Sequence, residues 1–367
     1  IVMDALVGGL TNQGLEQGDA KALSFTDNRQ DAALQSGHLN DFVQVAQLRT
    51  AVVTAANSGT KLTYANLSQS IFDAMELSAE DFAVDLTGNH GPGYENAKNA
   101  MLGVIGYMAV EDLSRGWRVT QPNLEQLGLV RISYDGLEEL ANNQALWAEL
   151  PGLKDIGPEK RTQILRAFLD HFRVNLAIEA DVLTDNRSRT IVNQANSWLR
   201  RPWSFDENER LRTQTMAMLP GEQPNNLEKR IGTISTGQRS AIRRYLSSSQ
   251  TWGTERNFSG EVTDQIVHGI VQALKGHILR MITGNGNEER GFRIIGDALV
   301  WTPGDGKPAP PDPVRTKDLH LRRDVGEKKA NSYFSDLYSK DASRFKRILG
   351  GEHTGQVKAE TRNLREA

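Results

Sequence analysis

The chain has 367 residues, a length for roughly two or three domains of about 100–200 residues each, with 38% hydrophobic residues, 24% charged residues and a formal net charge of −3. It has no cysteine, which excludes a disulfide framework, a thiolate metal site and a cysteine nucleophile. No apolar run reaches the ~20 residues of a membrane-spanning helix, and a protein that binds nucleic acid with its whole surface is usually basic, so any such contact here has to be local.

The start, Ile1-Val2-Met3-Asp4, has no basic stretch ahead of an apolar one and no initiator Met. The expectation is a cytoplasmic protein without a secretory signal, beginning inside a longer chain. Asp4 to Leu15 is a short amphipathic stretch, broken by Gly14 and Gly18. Ala20–Thr26 is a short apolar run bounded by polar residues, the pattern of a buried parallel strand. From Arg29 to about Ala56 apolar residues recur at helical spacing, with Asn57-Ser58-Gly59 as the stop. Strand followed by helix is half of a βαβ unit. Helical periods then dominate to about residue 250, predicting helices at Tyr64–Glu76, Tyr94–Arg115, Tyr134–Leu150, Pro158–Ala180 and Asp185–Leu199.

Residues 235–303 read as helix (Ser235–Leu246), helix (Glu261–Leu274) and a β-hairpin (Gly276–Ile282 and Gly291–Ile295), with Asp297–Trp301 extending that strand or adding another. This is the order of a winged helix, whose second helix enters the DNA major groove in many members; a small subdomain that touches only protein has the same order. Gly304–Val314 carries Pro308, Pro310, Pro311 and Pro313 and reads as a linker. A last helix is predicted over Gly326–Leu349, then the extended Glu352–Val357 and a charged tail.

The chain has no Gly-x-x-x-x-Gly-Lys-Ser/Thr phosphate loop, no His-Glu-x-x-His and no Gly-x-Ser-x-Gly, and its seven His lack metal-ligand spacing. No catalytic residue and no metal ligand is assigned. Basic clusters occur at Arg200-Arg201, at Lys229-Arg230 with Arg239, Arg243 and Arg244, and at Arg322-Arg323 with Lys328-Lys329; a solvated helix face is the plainer reading of any one of them. Two further stretches stand out. Phe25-Thr26-Asp27-Asn28-Arg29-Gln30-Asp31-Ala32 lies at the end of the predicted strand and opens a helix, where ligands of α/β sheets bind and where backbone amides attract phosphate. Glu352-His353-Thr354-Gly355-Gln356-Val357, with Arg362 beyond it, is another strand-like run of hydrogen-bonding side chains.

Together these two stretches resemble the second RecA-like lobe of superfamily 2 helicases of DEAD/DEAH type. Phe25–Ala32 resembles motif IV as it reads in large bacterial helicases of DNA-repair and phage-defence types. Glu352–Val357 resembles the strand just before motif V. Arg115–Gln126 and Arg201–Glu207 are also similar to features of the long inserted region in such proteins. The resemblance implies a mostly α chain with a partial α/β RecA-like lobe, divided as 1–56 (first part of the lobe), 57–234 (helical insertion), 235–303 (winged-helix-like), 304–325 (linker) and 326–367 (continuation of the lobe). It implies an ATP-dependent helicase or translocase acting on nucleic acid, expected to be DNA. Thr26, Arg29, Gln30, His353, Thr354 and Gln356 would grip the strand, Arg362 would support the local helix or touch phosphate, and Arg239, Arg243 and Arg244 would touch phosphates from the insertion. ATP and Mg²⁺ would belong to the parent protein, whose other motifs fall outside this chain, so the isolated chain is expected to be inactive. The rival expectation, which the net charge favours, is a module that recruits a partner subunit and never meets nucleic acid.

Overall fold

The computed structural model describes residues 29–84, 91–114, 122–206, 209–284, 287–310, 312–315, 330–340, 342–345, 348 and 350. The predicted strand at Ala20–Thr26 lies outside them. The long first helix, α1, spans Arg29–Ala56, and the chain leaves it through Gly59 at φ 83°. Small residues let neighbours approach closely: Ala46, Ala51, Ala55 and Ala56 are buried with Phe42, Val43 and Val52.

A short strand β1 (Leu62–Thr63) leads into helix α2 (Tyr64–Met75), whose Leu67, Ile71, Phe72 and Met75 face the core. The Thr63 N–H donates to the Asn66 side chain (2.8 Å), satisfying the helix start. Helix α3 (Pro92–Glu111) begins on a proline, where the missing N–H costs nothing. It is packed on several sides, and a Cβ at Gly106 would meet the Ser68 hydroxyl at 2.5 Å, so a side chain there would have to displace that hydroxyl where α3 crosses α2. Strand β2 (Val130–Tyr134), helix α4 (Leu137–Asn142), helix α5 (Pro158–Arg173), strand β3 (Ile178–Glu179) and helix α6 (Asp185–Trp198) follow. After strands β4 (Met216–Met218) and β5 (Thr233–Ile234) come helices α7 (Ala241–Ser247) and α8 (Gly260–Leu274). Strands β6 (Leu279–Thr283), β7 (Glu289–Ile295) and β8 (Leu299–Pro303) precede helix α9 (Ser332–Tyr338).

Two sheets organise these elements. One is antiparallel, in the order β1-β8-β2, with Leu62 and Ile132 both opposite Trp301. The other is mixed: β7 runs parallel to β3 and antiparallel to β4 and β6, and β4 pairs with β5. Helix α5 covers it, with the Phe172 ring 4.9 Å from that of Phe292 and 5.0 Å from that of Phe168. The described chain is thus a helix-rich α/β protein, and no described helix is long and apolar enough to cross a membrane.

Several sequence expectations change here. The helix expected over Tyr134–Leu150 is instead the end of β2, a turn at Gly136 (φ 72°) and two short helices. The alternating burial of Val130, Ile132 and Tyr134 is a strand period, and β8 supplies its partner. The helix begun at Pro158 ends at Arg173 rather than Ala180, because Ile178 is drawn into the mixed sheet beside Ile294. The last helix starts at Ser332, capped by Asn331, and breaks after Tyr338. The order helix, helix, hairpin over 235–303 is present, but β7 is paired along both edges and β8 leaves for the other sheet. That stretch therefore shares its sheets with residues outside it and does not close on itself. The proline-rich stretch is not a free tether: Gly304 and Gly306 donate to Leu129 and Gly128 carbonyls (2.9 and 3.0 Å), and Ala309 donates to Glu125 (2.9 Å).

Arg161 shows how the loop-rich part is held. It is fully buried and has no carboxylate partner among the described residues; its guanidinium donates to the carbonyls of Ala141 (2.6 Å), Leu153 (2.8 Å) and Ile156 (2.9 Å) and to the Gln144 side chain (3.0 Å). These include a carbonyl left over at the end of α4. Hydrogen bonds to a charged group contribute about 1.5–3 kcal/mol each. Arg161→Leu should therefore lower unfolding stability by at least ~3 kcal/mol, read as a lower urea midpoint at unchanged slope. Arg161→Lys should recover little of this, since an ammonium lacks the planar fork.

Candidate nucleic-acid interface

The two motif-bearing stretches are far apart in sequence, and the structure tethers their neighbourhoods to one helix. Asn40, buried on α1, uses its side-chain amide like a strand edge. Its Nδ2 donates to the Gly350 carbonyl (3.0 Å) and its Oδ1 accepts the Gly350 N–H (2.7 Å). Gly350 lies so close to α1 that a Cβ there would sit 2.7 Å from the Ser36 carbonyl oxygen. Further along α1, Arg49 is paired with Asp112 (2.6 Å) and donates to the Pro122 carbonyl (3.0 Å) and the Tyr338 hydroxyl (3.3 Å). Burial pulls the Arg49 guanidinium down, but the charge and hydrogen bond of Asp112, helped by Tyr338, outweigh it and hold its pKa above the ordinary value. The Tyr338 hydroxyl is pushed up by burial, against the pull of Arg49.

Arg29 and Gln30 occupy the first turn of α1. Thr26, His353, Thr354, Gln356 and Arg362 lie outside the described residues. Ser36 follows Gln30 by six positions, about 9 Å along the helix axis at 1.5 Å per residue. Gly350 precedes Glu352 by two. Gly350 thus meets the same half of α1 that begins with Arg29.

The three arginines of the inserted region separate. Ser240 caps α7, accepting from the Arg243 N–H (3.3 Å). Arg243 then points inward: it is 4% exposed, ion-paired with Asp264 and hydrogen-bonded to the Gly260 carbonyl. Its guanidinium joins α7 to α8, so it is a structural arginine and not a phosphate contact, contrary to the sequence expectation. Stripping it from Asp264 would leave an uncompensated buried charge. Arg239 and Arg244 are exposed and have no partner among the described residues.

A feature that the sequence does not reveal is a groove of about 940 Å³ between α5, the α7 end and the proline-rich strap. Lys160, Gln163 and Arg166 form one stripe of α5 along it, and Tyr245 and Gln250 face them. Of its acids, Glu125 and Asp170 are both consumed by Arg173 (2.9 and 3.0 Å), which is buried and also donates to Tyr134 (3.2 Å). The signal is present in the sequence as polar residues three apart on an amphipathic helix, but nothing there shows which helix face meets a cleft.

A smaller pocket of about 260 Å³ lies between α1, α3 and residues 205–212. Burial raises the carboxyl pKa of Glu111 there, opposed by Arg212 and by the hydrogen bond from Tyr107, with Asp112 and Glu209 adding repulsion. The Tyr107 hydroxyl also accepts the Arg212 N–H (2.8 Å) and is itself pushed up, first by burial and then by Glu111. Among the described residues no group of three His, Cys, Asp or Glu could hold a metal ion. The chain matches no protein-family model, no curated protein and no solved structure.

Two outcomes are expected from these contacts. Asn40→Asp replaces the donor that faces the Gly350 carbonyl with an acceptor. It should cost about 1–3 kcal/mol and make the chain after Tyr338 more susceptible to limited proteolysis, whereas Asn40→Gln at the same position tests geometry alone. For Glu111 the folded-state pKa is raised above the unfolded one, so the native state binds the extra proton between the two values and stability falls as pH rises through that window. Urea midpoints measured from pH 4 to pH 8 should show Glu111→Gln lacking this decline, its stability relative to the parent chain growing with pH.

Proposed function

We propose that this chain is a piece of an ATP-dependent DNA helicase or translocase: the second motor lobe, interrupted by an insertion of roughly residues 57–325. The observation that supports it best is the Asn40–Gly350 clamp, which ties together the two ends whose motifs resemble one lobe, although 310 residues separate the clamped positions. An insertion between two adjacent parts of one lobe requires this kind of return to the starting helix.

In this reading Thr26, Arg29 and Gln30 contact the strand's phosphates and sugars from the start of α1, where amides of the first turn add favourable dipole. His353, Thr354 and Gln356 act beside them, and Arg362 supports that stretch. Arg239 and Arg244 are the phosphate contacts of the inserted region, held in place by Arg243 through Asp264. ATP and Mg²⁺ bind parts of the parent protein that this sequence does not contain, so no chemical step falls to these residues. A partner-recruiting module needs an apolar docking face of several hundred Å²; among the described residues the exposed large hydrophobic side chains are Val84, Leu146 and Ile231.

The test is salt-dependent binding of the isolated chain to a labelled single strand and a forked duplex, with ATP turnover measured alongside. Binding should weaken with a slope of about −0.7 in log K per log salt for each phosphate contacted on a single strand. Replacing Arg239 and Arg244 together by Glu should flatten that slope by roughly 1 to 2 while leaving the fold intact, and Arg243→Glu should unfold the α7–α8 junction instead. No binding at low salt, or ATP turnover by the isolated chain, would overturn the reading.

A further inference from the structure

We infer that the groove between α5 and the proline-rich strap is a second nucleic-acid site on this chain, and that its ligand is a single strand. Ligand pockets for small molecules are mostly apolar with a few polar groups. This groove carries many more polar groups: about half of its lining residues are charged or amide, with five cations (Arg131, Lys160, Arg166, Arg173 and Arg315) against three carboxylates (Glu125, Asp170 and Asp312). Arg131 is held by Asp305, so the charge the groove leaves open is that of Lys160 and the loosely paired Arg166, on a chain whose net charge is −3, and charge complementarity points to a polyanion.

The carboxylates are also the groups least able to repel an anion. Glu125 and Asp170 are spent on Arg173, and Asp312 is buried, accepts the Val314 N–H (2.9 Å) and lies 3.9 Å from Arg315. By contrast Lys160 is exposed with no partner among the described residues, and Arg166 reaches only Glu138, at 4.0 Å. The two cations stand six residues apart on one helix face, about 9 Å along its axis, with the Gln163 amide between them. Tyr245 and Gln250 face this stripe.

Alternating cations, amides and an aromatic ring are what a single strand uses. Its phosphates follow the cations, and its bases stack on aromatic rings and meet amides without strict sequence preference. Pro308 and Pro310 lie in chain outside any helix or strand and Pro313 opens a turn, and none of the three adds to the outer wall an N–H group that would need a partner. The strap is in turn pinned by Arg131, which pairs with Asp305 (2.7 Å) and donates to the Lys307 carbonyl (2.6 Å). The groove is thus built by the fold.

The choice of nucleic acid over an acidic protein rests on the motor-lobe reading, and the experiment separates the two. Anisotropy of a labelled twenty-nucleotide oligo-dT is measured with the full chain, with the double variant Lys160→Glu/Arg166→Glu, and with Arg239→Glu/Arg244→Glu as an independent surface. Urea midpoints confirm that each variant is folded. The groove variant should bind at least about tenfold more weakly, with the salt slope reduced by about 1.4 for two lost phosphate contacts, and Tyr245→Phe should bind normally because a ring remains. Unchanged affinity in the groove variant, with the parent chain still binding, overturns the groove and leaves the motor reading standing. A blunt hairpin duplex that binds as tightly as oligo-dT and loses as much on the same substitutions overturns the single-strand assignment. No oligo-dT binding by the parent chain overturns both readings, and a polyglutamate peptide that binds in its place assigns the groove to an acidic protein.

Discussion

Burial of the Arg49 guanidinium obliges three distant stretches to converge. An arginine cannot shed its proton in a protein, so its side chain, almost wholly removed from water, has to find a counter-charge and acceptors at fixed geometry. Asp112 at the end of α3, the carbonyl of Pro122 and the hydroxyl of Tyr338 provide them. Because α1 is a single helix, fixing Arg49 also fixes the direction in which Ser36 and Asn40 present themselves to Gly350. The same solution recurs at Arg173 and Arg243, while Arg161 is held by carbonyls and the Gln144 amide without a counter-charge. Each buries its fork among partners from different parts of the chain and thereby fixes them relative to one another. Such sites are costly to break from one side, which makes them determinants of geometry more than sources of net stability.

That geometry has a functional consequence. Returning the chain to its first helix after some three hundred residues carries a length-dependent closure cost of roughly 5 kcal/mol if the intervening chain were loose. The intervening residues are instead folded onto α1 itself: β1, α2 and β8 share one continuous buried core with it, so the ends are brought together by packing and the Asn40 clamp only selects the register. In the proposed reading, this shared core would make the inserted residues part of the lobe's own packing and not a separate tethered domain. In the proposed reading, the groove beside α5 and the start of α1 would contact two parts of one strand.

Much of this was legible in the sequence where local physics decides. The span of α1, the starts of α2, α5, α6 and α8, and the two strands of the β6–β7 hairpin follow from apolar period, from Pro at a helix start and from Gly and Asn at stops. The absence of cysteine and of any phosphate loop was equally plain. The short strands were not: β1, β3 and β5 are two residues each, too brief to carry a period, and they exist because a partner strand from elsewhere satisfies their backbone. Of the arginines, the sequence by itself determined that cations cluster near 239–244, since charge and spacing are local properties. Only the tertiary structure decided that Arg243 turns inward to Asp264 while Arg239 and Arg244 face water, and that Lys160 and Arg166 line a cleft, because which side of a helix is covered depends on partners that lie far away along the chain.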